Sequence, residues 1–379
     1  MISTEFADCK VLVVDDSQRN LDFVSLLLST AGITKVECAL DGIEGLEKAA
    51  WFGPDMVVLD LMMPRMDGYD FLRRFRAMPS LADVPVLVAT ALDDHEQRAK
   101  AFDLGGSDYV VKPIERREFI ARLSVHLRNR QLIGRLRNYQ DRLQFDLEIA
   151  RSMQRGLLPS HDRVAALEKA YGIRIGSVFR TAFEVGGDLW DAFPLDADRF
   201  GLWLADFAGH GVAAAINTFR LHAMLRDSPN AGDPGTLLAD LNGRLKGVLP
   251  RGQFATMVYG VCDVREHKLS FSSAGHPGPI LKSLAGTVQS YPVASPPLGI
   301  VPGTKYRSVD LAFGPGTSLL LYSDGLSEAE AAEGPVGEEG ALAVAAALAS
   351  AADLPATIVR LLGDQAPEDD LTVVWISRD

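Results

Sequence analysis

The stretch Gly186–Gly211, GGDLWDAFPLDADRFGLWLADFAGHG, decides how the C-terminal half of the chain is interpreted. It contains two apolar runs with the length of β-strands, and each run has an aspartate at one end. Asp188 opens the first run and Asp206 closes the second. The glycines that follow, Gly209 and Gly211, allow the chain to turn sharply there. This pattern predicts two strands that place carboxylates at their ends.

Two more apolar runs further along the chain have the same relation to aspartates. Asp324 closes the run in LLLYSDG, and the pair Asp369-Asp370 precedes the run in EDDLTVVW. Strand ends of one sheet sandwich can converge although they are distant in sequence, and carboxylates that meet in a partly buried cleft need a compensating charge. Oxygen ligands without a Cys or His cluster indicate Mg²⁺ or Mn²⁺.

Residues 159–379 as a whole predict antiparallel sheets covered by helices, an α+β sandwich. Strand candidates come in neighbouring pairs, with helical stretches at about 212–226 and 236–248 between them and at 340–352 and 356–362 near the end. The strand candidates are IRIGSVF, DLWDAF, FGLWLAD, FATMVYGVCD, LSFSSAG, SLLLYSD and LTVVWIS. In this fold a pair of divalent ions about 3.5–4 Å apart can activate a shared water for in-line displacement at phosphorus.

Residues 8–126 have a different rhythm, in which short apolar runs alternate with segments of helical period. This βα alternation predicts five parallel strands with helices on both faces. Chemistry in such sheets collects at the carboxyl ends of the strands. The residues found there are Asp15, Asp16, Asp60, Thr90 and Lys112.

Together these five residues predict a phosphoryl-transfer site. Asp60 can act as the nucleophile, and Asp15 with Asp16 would help to hold Mg²⁺. Lys112 would neutralise phosphoryl oxygens, and Thr90 could hydrogen-bond the new phosphoryl group. Any one of these residues alone is more often a solvated polar residue at a strand end, so the prediction depends on their joint placement.

Residues 8–126 resemble response-regulator receiver domains in Asp15-Asp16, in LDLMMPRMDG around Asp60, and in Thr90, Tyr109 and Lys112-Pro113. The resemblance implies a flavodoxin-like fold in which a sensor histidine kinase or a phosphotransfer protein phosphorylates Asp60. It also implies that Met62 supplies a backbone carbonyl to Mg²⁺ and that Thr90 and Tyr109 report phosphorylation. Lys112-Pro113 is expected to be a cis peptide, because only proline makes that isomer accessible.

Residues 127–158 predict a long helical linker, because they contain strong helix formers and no proline until Pro159. Its apolar stripe has a four-residue shift, with Leu132, Leu136, Tyr139 and Leu143 before it and Leu147, Ala150, Gln154 and Leu157 after it. A narrow apolar stripe on a long helix favours a parallel coiled coil in a homodimer. An intramolecular helical hairpin is the alternative.

Residues from about 145 to 379 resemble the metal-dependent type 2C serine/threonine phosphatases, in the bacterial branch for sporulation and stress responses. The shared motifs, in order, are EVGGDLWD, LADFAGHG, SSAGHPGP, PPLG, LYSDG and EDDLT. The resemblance implies two Mn²⁺ or Mg²⁺ ions and a phosphorylated anti-anti-sigma (STAS-type) protein as substrate.

By the same resemblance, Asp206 bridges the two ions and the carbonyl of Phe207 completes one of them. Asp324 and Asp369 hold the other ion, and Asp188 binds directly or through water. The phosphate-binding arginine of the eukaryotic relatives has no clear counterpart, and Arg180 is a weak candidate.

For four other polar residues in these motifs, a purely structural or solvated role is the alternative to a functional one. His210 could assist the leaving alkoxide as an acid, but between two glycines it favours a loop residue. His276 is interpreted as part of a structural turn. Asp191 and Asp370 are interpreted as solvated or as supports of the ligands rather than direct ligands.

Composition limits the class of protein. A net charge of −12 and the absence of a basic run disfavour nucleic acid as a partner. Cys9, Cys38 and Cys262 stand singly in apolar runs, which suits reduced thiols in a cytoplasmic protein. The sequence shows no signal peptide and no long uncharged apolar stretch, so no membrane partner is expected.

The sequence therefore predicts a two-component response regulator whose output is a protein phosphatase, and we expect phosphorylation of Asp60 to activate it. The alternative is a non-catalytic adaptor that binds an anti-anti-sigma or anti-sigma partner under receiver control. If the phosphatase fold had lost its activity in this way, at least one of the four aspartates at positions 188, 206, 324 and 369 should have been replaced. All four are present. A DNA-binding regulator is disfavoured because no basic recognition helix follows residue 126.

Overall fold

The structure of the chain is a computed structural model, which describes residues 6–90, 95–209, 211–250, 252–331, 334–363 and 367–378. It divides into two compact units, Met1–Arg142 and Leu143–Asp379. The boundary lies within the predicted linker of residues 127–158. Each unit has its own hydrophobic cores and is described separately.

The first unit is a five-stranded parallel sheet with helices on both faces. Its elements are β1 (Lys10–Val14), α1 (Gln18–Thr30), β2 (Lys35–Ala39), α2 (Gly42–Phe52), β3 (Met56–Asp60), α3 (Gly68–Arg76), β4 (Val86–Thr90), α4 (His95–Asp103), β5 (Asp108–Val111) and α5 (Arg116–Arg155), of which α5 continues beyond the unit. The strand order β2-β1-β3-β4-β5 is the flavodoxin-like order, so the predicted fold is confirmed.

Continuous burial of the central strands explains why they read as unbroken apolar runs. Every residue of β3 and β4 is buried, because helices cover both faces of a parallel sheet. Two separate clusters of buried residues lie on the two faces, one containing Phe71 and the other containing Phe119. The Lys112–Pro113 peptide is cis, as predicted.

Helix α5 runs without interruption from Arg116 to Arg155, so the predicted linker is helical and the hairpin alternative does not occur there. The first half of the predicted stripe, from Leu132 to Leu143, is exposed to solvent. Gln154 was assigned to the second half of that stripe, but its side chain is only 1% exposed. It is buried within the second unit and does not belong to an exposed seam.

The second unit contains two five-stranded antiparallel sheets with helices on their outer faces. Its elements are α6 (His161–Tyr171), β6 (Ile173–Arg180), β7 (Asp188–Pro194), β8 (Arg199–Phe207), α7 (Val212–Arg226), α8 (Pro234–Lys246), β9 (Ala255–Asp263), β10 (Lys268–Ala274), β11 (Ile280–Lys282), β12 (Val288–Ser290), β13 (Val309–Ala312), β14 (Ser318–Tyr322), α9 (Asp324–Ser327), β15 (Glu330–Ala331), β16 (Gly334–Pro335), α10 (Gly337–Ala347), α11 (Leu354–Leu362) and β17 (Leu371–Arg378). A short 3₁₀ turn, Ala351–Asp353, precedes α11.

One sheet has the order β13-β10-β9-β8-β7 and the other has the order β12-β11-β14-β17-β6. Trp190 and Leu204 of the first sheet share a buried cluster with Leu321 and Val374 of the second, so the sheets pack face to face. Helices α7 and α8 cover the outer face of the first sheet, and α10 and α11 cover that of the second. This α+β sandwich confirms the predicted fold of the C-terminal half.

All seven strand candidates of this half are strands. The sequence pattern did not predict the short strands β11, β12, β13, β15 and β16, nor helix α6. The signals for α6 were present, since Ser160 caps its first turn by accepting a hydrogen bond from the Arg163 N–H. Gly172 ends the helix in a left-handed conformation with φ of 63°.

Candidate functional site

Three carboxylates meet at the carboxyl edge of the parallel sheet. Strand β1 lies beside β3, so Asp15 and Asp16, which follow β1, lie next to Asp60 at the end of β3. Carboxylate oxygens of the three residues lie within 4.8 Å of one another. Asp15 and Asp60 are buried, whereas Asp16 is exposed. This is the donor set that Mg²⁺ prefers, open to solvent on one side.

Lys112 supplies a positive charge to this cluster from the loop after β5. Its Nζ donates to Asp15 Oδ2 at 2.8 Å and to Asp60 Oδ2 at 2.7 Å. Burial raises the pKa of Asp60, and the ammonium of Lys112 opposes that rise. Burial lowers the pKa of Lys112, but the two carboxylates outweigh it and leave that pKa raised.

The other residues predicted for this site lie around the cluster. The Met62 N–H approaches Asp60 Oδ1 at 3.4 Å, so the backbone after β3 turns back over the carboxylate. Thr90 is buried at the end of β4, whose Ala89 is the register partner of Asp60. Tyr109 is half-buried on β5, and its hydroxyl accepts a hydrogen bond from Arg98 Nη1 at 3.2 Å.

A second acidic cluster lies in the C-terminal unit, at the end of the sheet sandwich. Asp188 and Asp206 face each other as register partners on the antiparallel strands β7 and β8. Asp206 and Phe207 lie at the end of β8, before the turn with Gly209 at φ of 96° and Gly211 at φ of 75°. His210 lies outside the described residues.

The opposite sheet brings Asp324 and Asp369 to the same place. Strands β14 and β17 are paired, and directly after β14 the Ser323 N–H donates to the carbonyl of Thr372 in β17 at 2.9 Å. Gly325 lies against the backbone carbonyl of Asp370 so closely that no Cβ fits between them. The loop that carries Asp324 is therefore seated on the loop that carries Asp369.

Burial and mutual repulsion raise the pKa values of Asp188, Asp206 and Asp324. Burial, together with the negative charges of Asp324 and Asp369, raises the pKa of Asp206 to about 8. Burial and Asp369 also raise the pKa of Asp324. Burial, followed by the charge of Asp206, raises the pKa of Asp188 well above its usual range. These effects identify one electrostatic cluster.

Asp188 gives a direct test of whether the cluster suits a cation. Asp188 is 1% exposed, and neither carboxylate oxygen makes a hydrogen bond of normal geometry in the described part of the chain, although the hydroxyls of Ser323 and Thr372 lie near enough to oppose the rise of its pKa. A buried carboxylate that is so poorly satisfied is costly, and a bound cation would complete its oxygens. No arginine or lysine among the described residues forms an ion pair with Asp188, Asp206, Asp324 or Asp369. The donor set fits divalent cations that prefer oxygen.

Gly187 allows the backbone to approach the site closely. A Cβ at this position would lie 2.6 Å from the carbonyl oxygen of Phe207 and 3.0 Å from Asp206 Oδ1. Both oxygens therefore face the Gly187 backbone. Any side chain here would occupy the space between the two strands where a cation would be held.

Asp370 and Gln154 hold this glycine segment from two sides. Asp370 is buried and accepts hydrogen bonds from the N–H groups of Ala182 at 2.9 Å and Gly187 at 2.5 Å. Gln154 binds both backbone groups of Gly186, because its Nε2 donates to the carbonyl at 2.7 Å and its Oε1 accepts from the N–H at 3.2 Å. Both side chains position the chain next to Asp188.

Sequence reasoning missed Gln154 and also Glu328. Glu328 lies four residues after Asp324, and its charge raises the pKa values of both Asp206 and Asp324. The spacing of four residues beside a predicted ligand was a signal that could have found Glu328. Gln154 had no comparable signal, because its partner lies 32 residues away.

Asp191 and His276 lie outside the cluster. Asp191 is buried and accepts two hydrogen bonds from Arg163, so of its two predicted states, solvated or supporting the ligands, the solvated one is wrong. His276 is buried against Thr256, with Nδ1 and the threonine hydroxyl 2.8 Å apart. Burial lowers the pKa of His276 to about 3 and leaves the imidazole neutral.

An open cavity of about 480 Å³ adjoins the aspartate cluster. Asp369, Glu328 and Arg180 contribute to its wall. The Arg180 guanidinium also donates through Nη1 to the carbonyl of Gly363 at 3.4 Å. The cavity is large enough for a phosphorylated side chain and places a guanidinium near the carboxylates.

The helices do not suggest insertion into a bilayer. Even α5, with 40 residues, is too polar, and none of the helices that the structure describes is both long and apolar enough to cross a membrane.

Two family models match separate parts of the chain. Residues 11–124 match the response regulator receiver domain, and residues 196–379 match stage II sporulation protein E (SpoIIE). The first match covers the strands that carry Asp15, Asp60 and Lys112. The second match covers Asp206, Asp324 and Asp369.

Individual relatives agree with these matches. The chain is 26% identical to the phosphoserine phosphatase RsbP of Bacillus subtilis over 191 residues. This alignment covers 48% of this chain and 45% of RsbP. The chain is 40% identical to the DNA-binding dual master transcriptional regulator RpaA of Synechocystis sp. over 119 residues. This alignment covers 31% of this chain and 49% of RpaA. The chain thus spans about half the length of these relatives.

A solved structure has the fold of the larger unit. The SiaA-PP2C domain of Pseudomonas aeruginosa superposes with a TM-score of 0.55 and 24% identity, over 64% of this chain and 98% of that domain. At this identity the comparison shows the fold alone, an α+β sandwich of the PP2C type.

Proposed function

Since the chain carries a response-regulator receiver domain followed by a PP2C-type domain of the stage II sporulation protein E family, we propose that it is a receiver-controlled, metal-dependent phosphatase of phosphoserine or phosphothreonine proteins. The observation that carries the proposal is the cluster of buried carboxylates around Asp206, which has no compensating side-chain cation in the described residues. The similarity to a phosphoserine phosphatase supports the choice of phosphorylated residue.

Each acidic residue of the cluster has a role in this proposal. Asp206 would be the ligand shared by two Mn²⁺ or Mg²⁺ ions, and the Phe207 carbonyl would be a further ligand of one of them. Asp324 and Asp369 would hold the other ion, and Asp188 would bind directly or through water. When bound, such a pair lowers the pKa of a shared water and neutralises phosphoryl oxygens. Arg180, in the wall of the adjoining cavity, orients the substrate phosphate.

The receiver domain supplies the input. A sensor histidine kinase or a phosphotransfer protein phosphorylates Asp60, with Mg²⁺ held by Asp15, Asp16, Asp60 and the Met62 carbonyl. Lys112 then contacts a phosphoryl oxygen in place of a carboxylate. Thr90 and Tyr109 change their packing in response, and we expect this change to activate the phosphatase.

The link between input and output is helix α5. It begins three residues after Pro113 and ends at Arg155, and Gln154 in its last turn binds the backbone of Gly186. A shift or rotation of α5 therefore moves the segment that contains Gly187 and precedes Asp188. In the proposed control, the last turn of α5 switches between two alternative placements, which correspond to the low-activity and the high-activity state of the phosphatase.

The exposed face of α5 supports a homodimer. Leu132, Leu136, Tyr139 and Leu143 are each roughly half exposed or more, at the spacing of a coiled-coil seam. Pairing with the same helix of a second copy would bury this stripe. The shift in the pattern after Leu143 coincides with the first half-buried residue of this part of α5, Leu147.

The proposed substrate is a phosphorylated anti-anti-sigma protein of the STAS type, by the resemblance of the motifs around Asp188, Asp206, Asp324 and Asp369. The test measures phosphate release from such a phosphoprotein with Mn²⁺. Wild-type protein and Asp206→Asn are compared, each with and without beryllofluoride. We expect release by the wild type, more release with beryllofluoride, and none by Asp206→Asn.

Two outcomes would contradict the proposal at different points. Binding of the phosphoprotein without any release of phosphate under all conditions would favour the adaptor alternative. Equal release with and without beryllofluoride would leave the phosphatase in place and remove the receiver control.

A further inference from the structure

A second cavity of the C-terminal unit lies away from the aspartate cluster, on the other face of strand β7. Asp191 is three residues after Asp188, and side chains at odd spacing in a strand point to opposite faces. The cavity has a volume of about 430 Å³, which is within the usual range for small-molecule sites. Its wall includes Arg163, Asp191, Trp203, His222, Leu225 and Arg226.

One wall of this cavity carries buried polar groups. Asp191 is 2% exposed and accepts hydrogen bonds from Arg163 Nη2 at 2.9 and 3.1 Å. His222 Nε2 lies 3.6 Å from Asp191 Oδ2, which is too long for a hydrogen bond. This nitrogen is buried and has no hydrogen-bond partner among the described residues. A buried polar atom of this kind indicates an absent partner.

The opposite wall is apolar and aromatic. Trp203 and Leu225 are buried in the cluster between the sheet and helices α7 and α8. Phe193 and Leu195, at the end of β7, pack against the same cluster and are half-buried. The Trp203 ring lies 6.5 Å from the His222 ring, so apolar surface and the unpartnered nitrogen face the same space.

The charge balance of the cavity favours an anion. Asp191 neutralises Arg163, whereas Arg226 lies at the exposed end of α7 and forms no ion pair with another described residue. One positive charge is therefore in excess, next to a polar atom that lacks a partner. We propose that this cavity binds a small organic anion with an aromatic or branched apolar body.

In this arrangement the acid group of the ligand meets Arg226 and His222, and its apolar body lies against Trp203. Three residues of the wall belong to α7, which begins at Val212, shortly after the segment with Asp206 and Phe207. A ligand in this cavity would therefore contact α7, the helix that begins next to the candidate metal site. The binding itself does not depend on the proposed phosphatase activity.

The probe for the test is 8-anilinonaphthalene-1-sulfonate, an aromatic anion whose fluorescence rises on leaving water. It is titrated into the full chain without substrate or metal, with direct excitation of the probe. Three variants are compared with the wild type: Arg226→Glu at the rim, Ala231→Trp to fill the cavity, and Arg265→Glu as a control. Arg265 is an exposed arginine in the β9–β10 hairpin and is not part of the cavity wall.

We expect saturable binding by the wild type and an unchanged affinity in Arg265→Glu. Arg226→Glu should weaken binding about tenfold, because it replaces a charge-assisted contact by repulsion. Ala231→Trp should abolish this binding and leave only weak binding by the exposed stripe of α5. Thermal melting of each variant shows whether it folds, and Ser228→Trp replaces Ala231→Trp if the latter does not.

Two results would overturn the proposal. The first is wild-type affinity in a folded variant whose cavity is filled by tryptophan. The second is equal weakening by Arg226→Glu and Arg265→Glu, which would show that the probe responds only to the charge of the surface. Phosphate release need not be measured for either result, so failure here is distinct from failure of the proposed phosphatase activity.

Discussion

The two acidic clusters of this protein differ in the source of their positive charge. In the receiver domain, the ammonium of Lys112 lies between Asp15 and Asp60 at hydrogen-bond distance from both. In the C-terminal unit, Asp206 shares its surroundings with Asp324 and Asp369, and no lysine or arginine of the described chain forms an ion pair with them. The polypeptide itself balances part of the first cluster's charge, through one lysine beside three carboxylates, whereas the second cluster has no such partner among the described residues.

This difference separates two uses of carboxylates. A lysine beside buried carboxylates offsets part of their mutual repulsion without a metal. A cluster without one is destabilising until cations bind, because like charges are held together in a partly buried place. In the absence of cations, the hydrogen bonds of Asp370 and Gln154 to the backbone of Gly187 and Gly186 hold the second cluster in place.

The largest effect is expected from Asp206→Asn, which removes the carboxylate at the centre of the unbalanced cluster. Phosphate release should fall by a factor on the order of 10³, because the residue that would bridge both cations is lost. The measurement is the rate of release from a phosphoserine protein at saturating Mn²⁺. Asp198→Asn, in the β7–β8 hairpin with its side chain about half exposed, is the matched control and should keep full activity. Activity within tenfold of the wild type in Asp206→Asn would contradict the assigned role.

The balanced cluster gives the second prediction. Lys112→Met should lower the free energy of unfolding of the receiver domain by about 3 kcal/mol, because it leaves buried carboxylates without their counter-charge. Thermal denaturation followed by circular dichroism measures the change, and Mg²⁺ should restore part of the loss. Lys35→Met, which removes an exposed pair with Asp8, should cost far less than Lys112→Met, because solvent screens that pair. Equal losses in the two variants would show that Lys112 does not balance the cluster.

The third prediction concerns pH and the metal-free C-terminal domain. The pKa of Asp206 is raised from 3.8 to about 8 by burial and by its acidic neighbours. Between those values the folded state holds a proton that the unfolded state has released, so stability falls as pH rises from about 5 to 8. We expect a loss of roughly 2 kcal/mol or more, measured by denaturation in the presence of a chelator.

Divalent cations should reverse this trend, because they favour the ionised carboxylates. With Mn²⁺ in excess, stability should rise with pH over the same interval. Asp206→Asn should reduce the slope of both profiles, since its amide does not titrate while Asp188 and Asp324 still do. A metal-free wild-type protein that becomes more stable from pH 5 to 8 would show that the cluster has another source of positive charge.

Much of both folds was predictable because the signals are local. The strands that carry Asp60 and Asp206 are apolar runs that end at a polar residue, and period and burial identify such runs without knowledge of the partners. The hairpin that pairs Asp188 with Asp206 also follows from a short connection. The roles of these aspartates remain proposals, but their convergence in space is a property of the fold.

The missed features depend on contacts between distant segments. Gln154 has the spacing of a coiled-coil position, and only the structure shows that its amide binds Gly186 instead. Asp191 was interpreted as solvated or as a support of the ligands, because nothing in the sequence connects it to Arg163 on a helix that was not predicted. A polar side chain that is buried by a partner far along the chain has no periodic signature.

The smallest effect is expected from Gln154→Leu, which tests how the unbalanced cluster is positioned rather than charged. Leucine has a similar volume but cannot hydrogen-bond, so the N–H and the carbonyl of Gly186 both lose their partner at this position. The chain before Asp188 should then be less well held, and the affinity for Mn²⁺ in the assay of phosphate release should weaken about tenfold.

Saturating Mn²⁺ should restore most of the rate in Gln154→Leu, which distinguishes it from Asp206→Asn, where no concentration of metal should do so. Gln144→Leu is the matched control, because Gln144 lies on the same helix with its side chain exposed. Beryllofluoride should stimulate Gln144→Leu as it does the wild type, and it should stimulate Gln154→Leu less, since the last turn of α5 no longer holds Gly186. Full stimulation with unchanged Mn²⁺ affinity in Gln154→Leu would mean that α5 acts on the aspartates through a different contact.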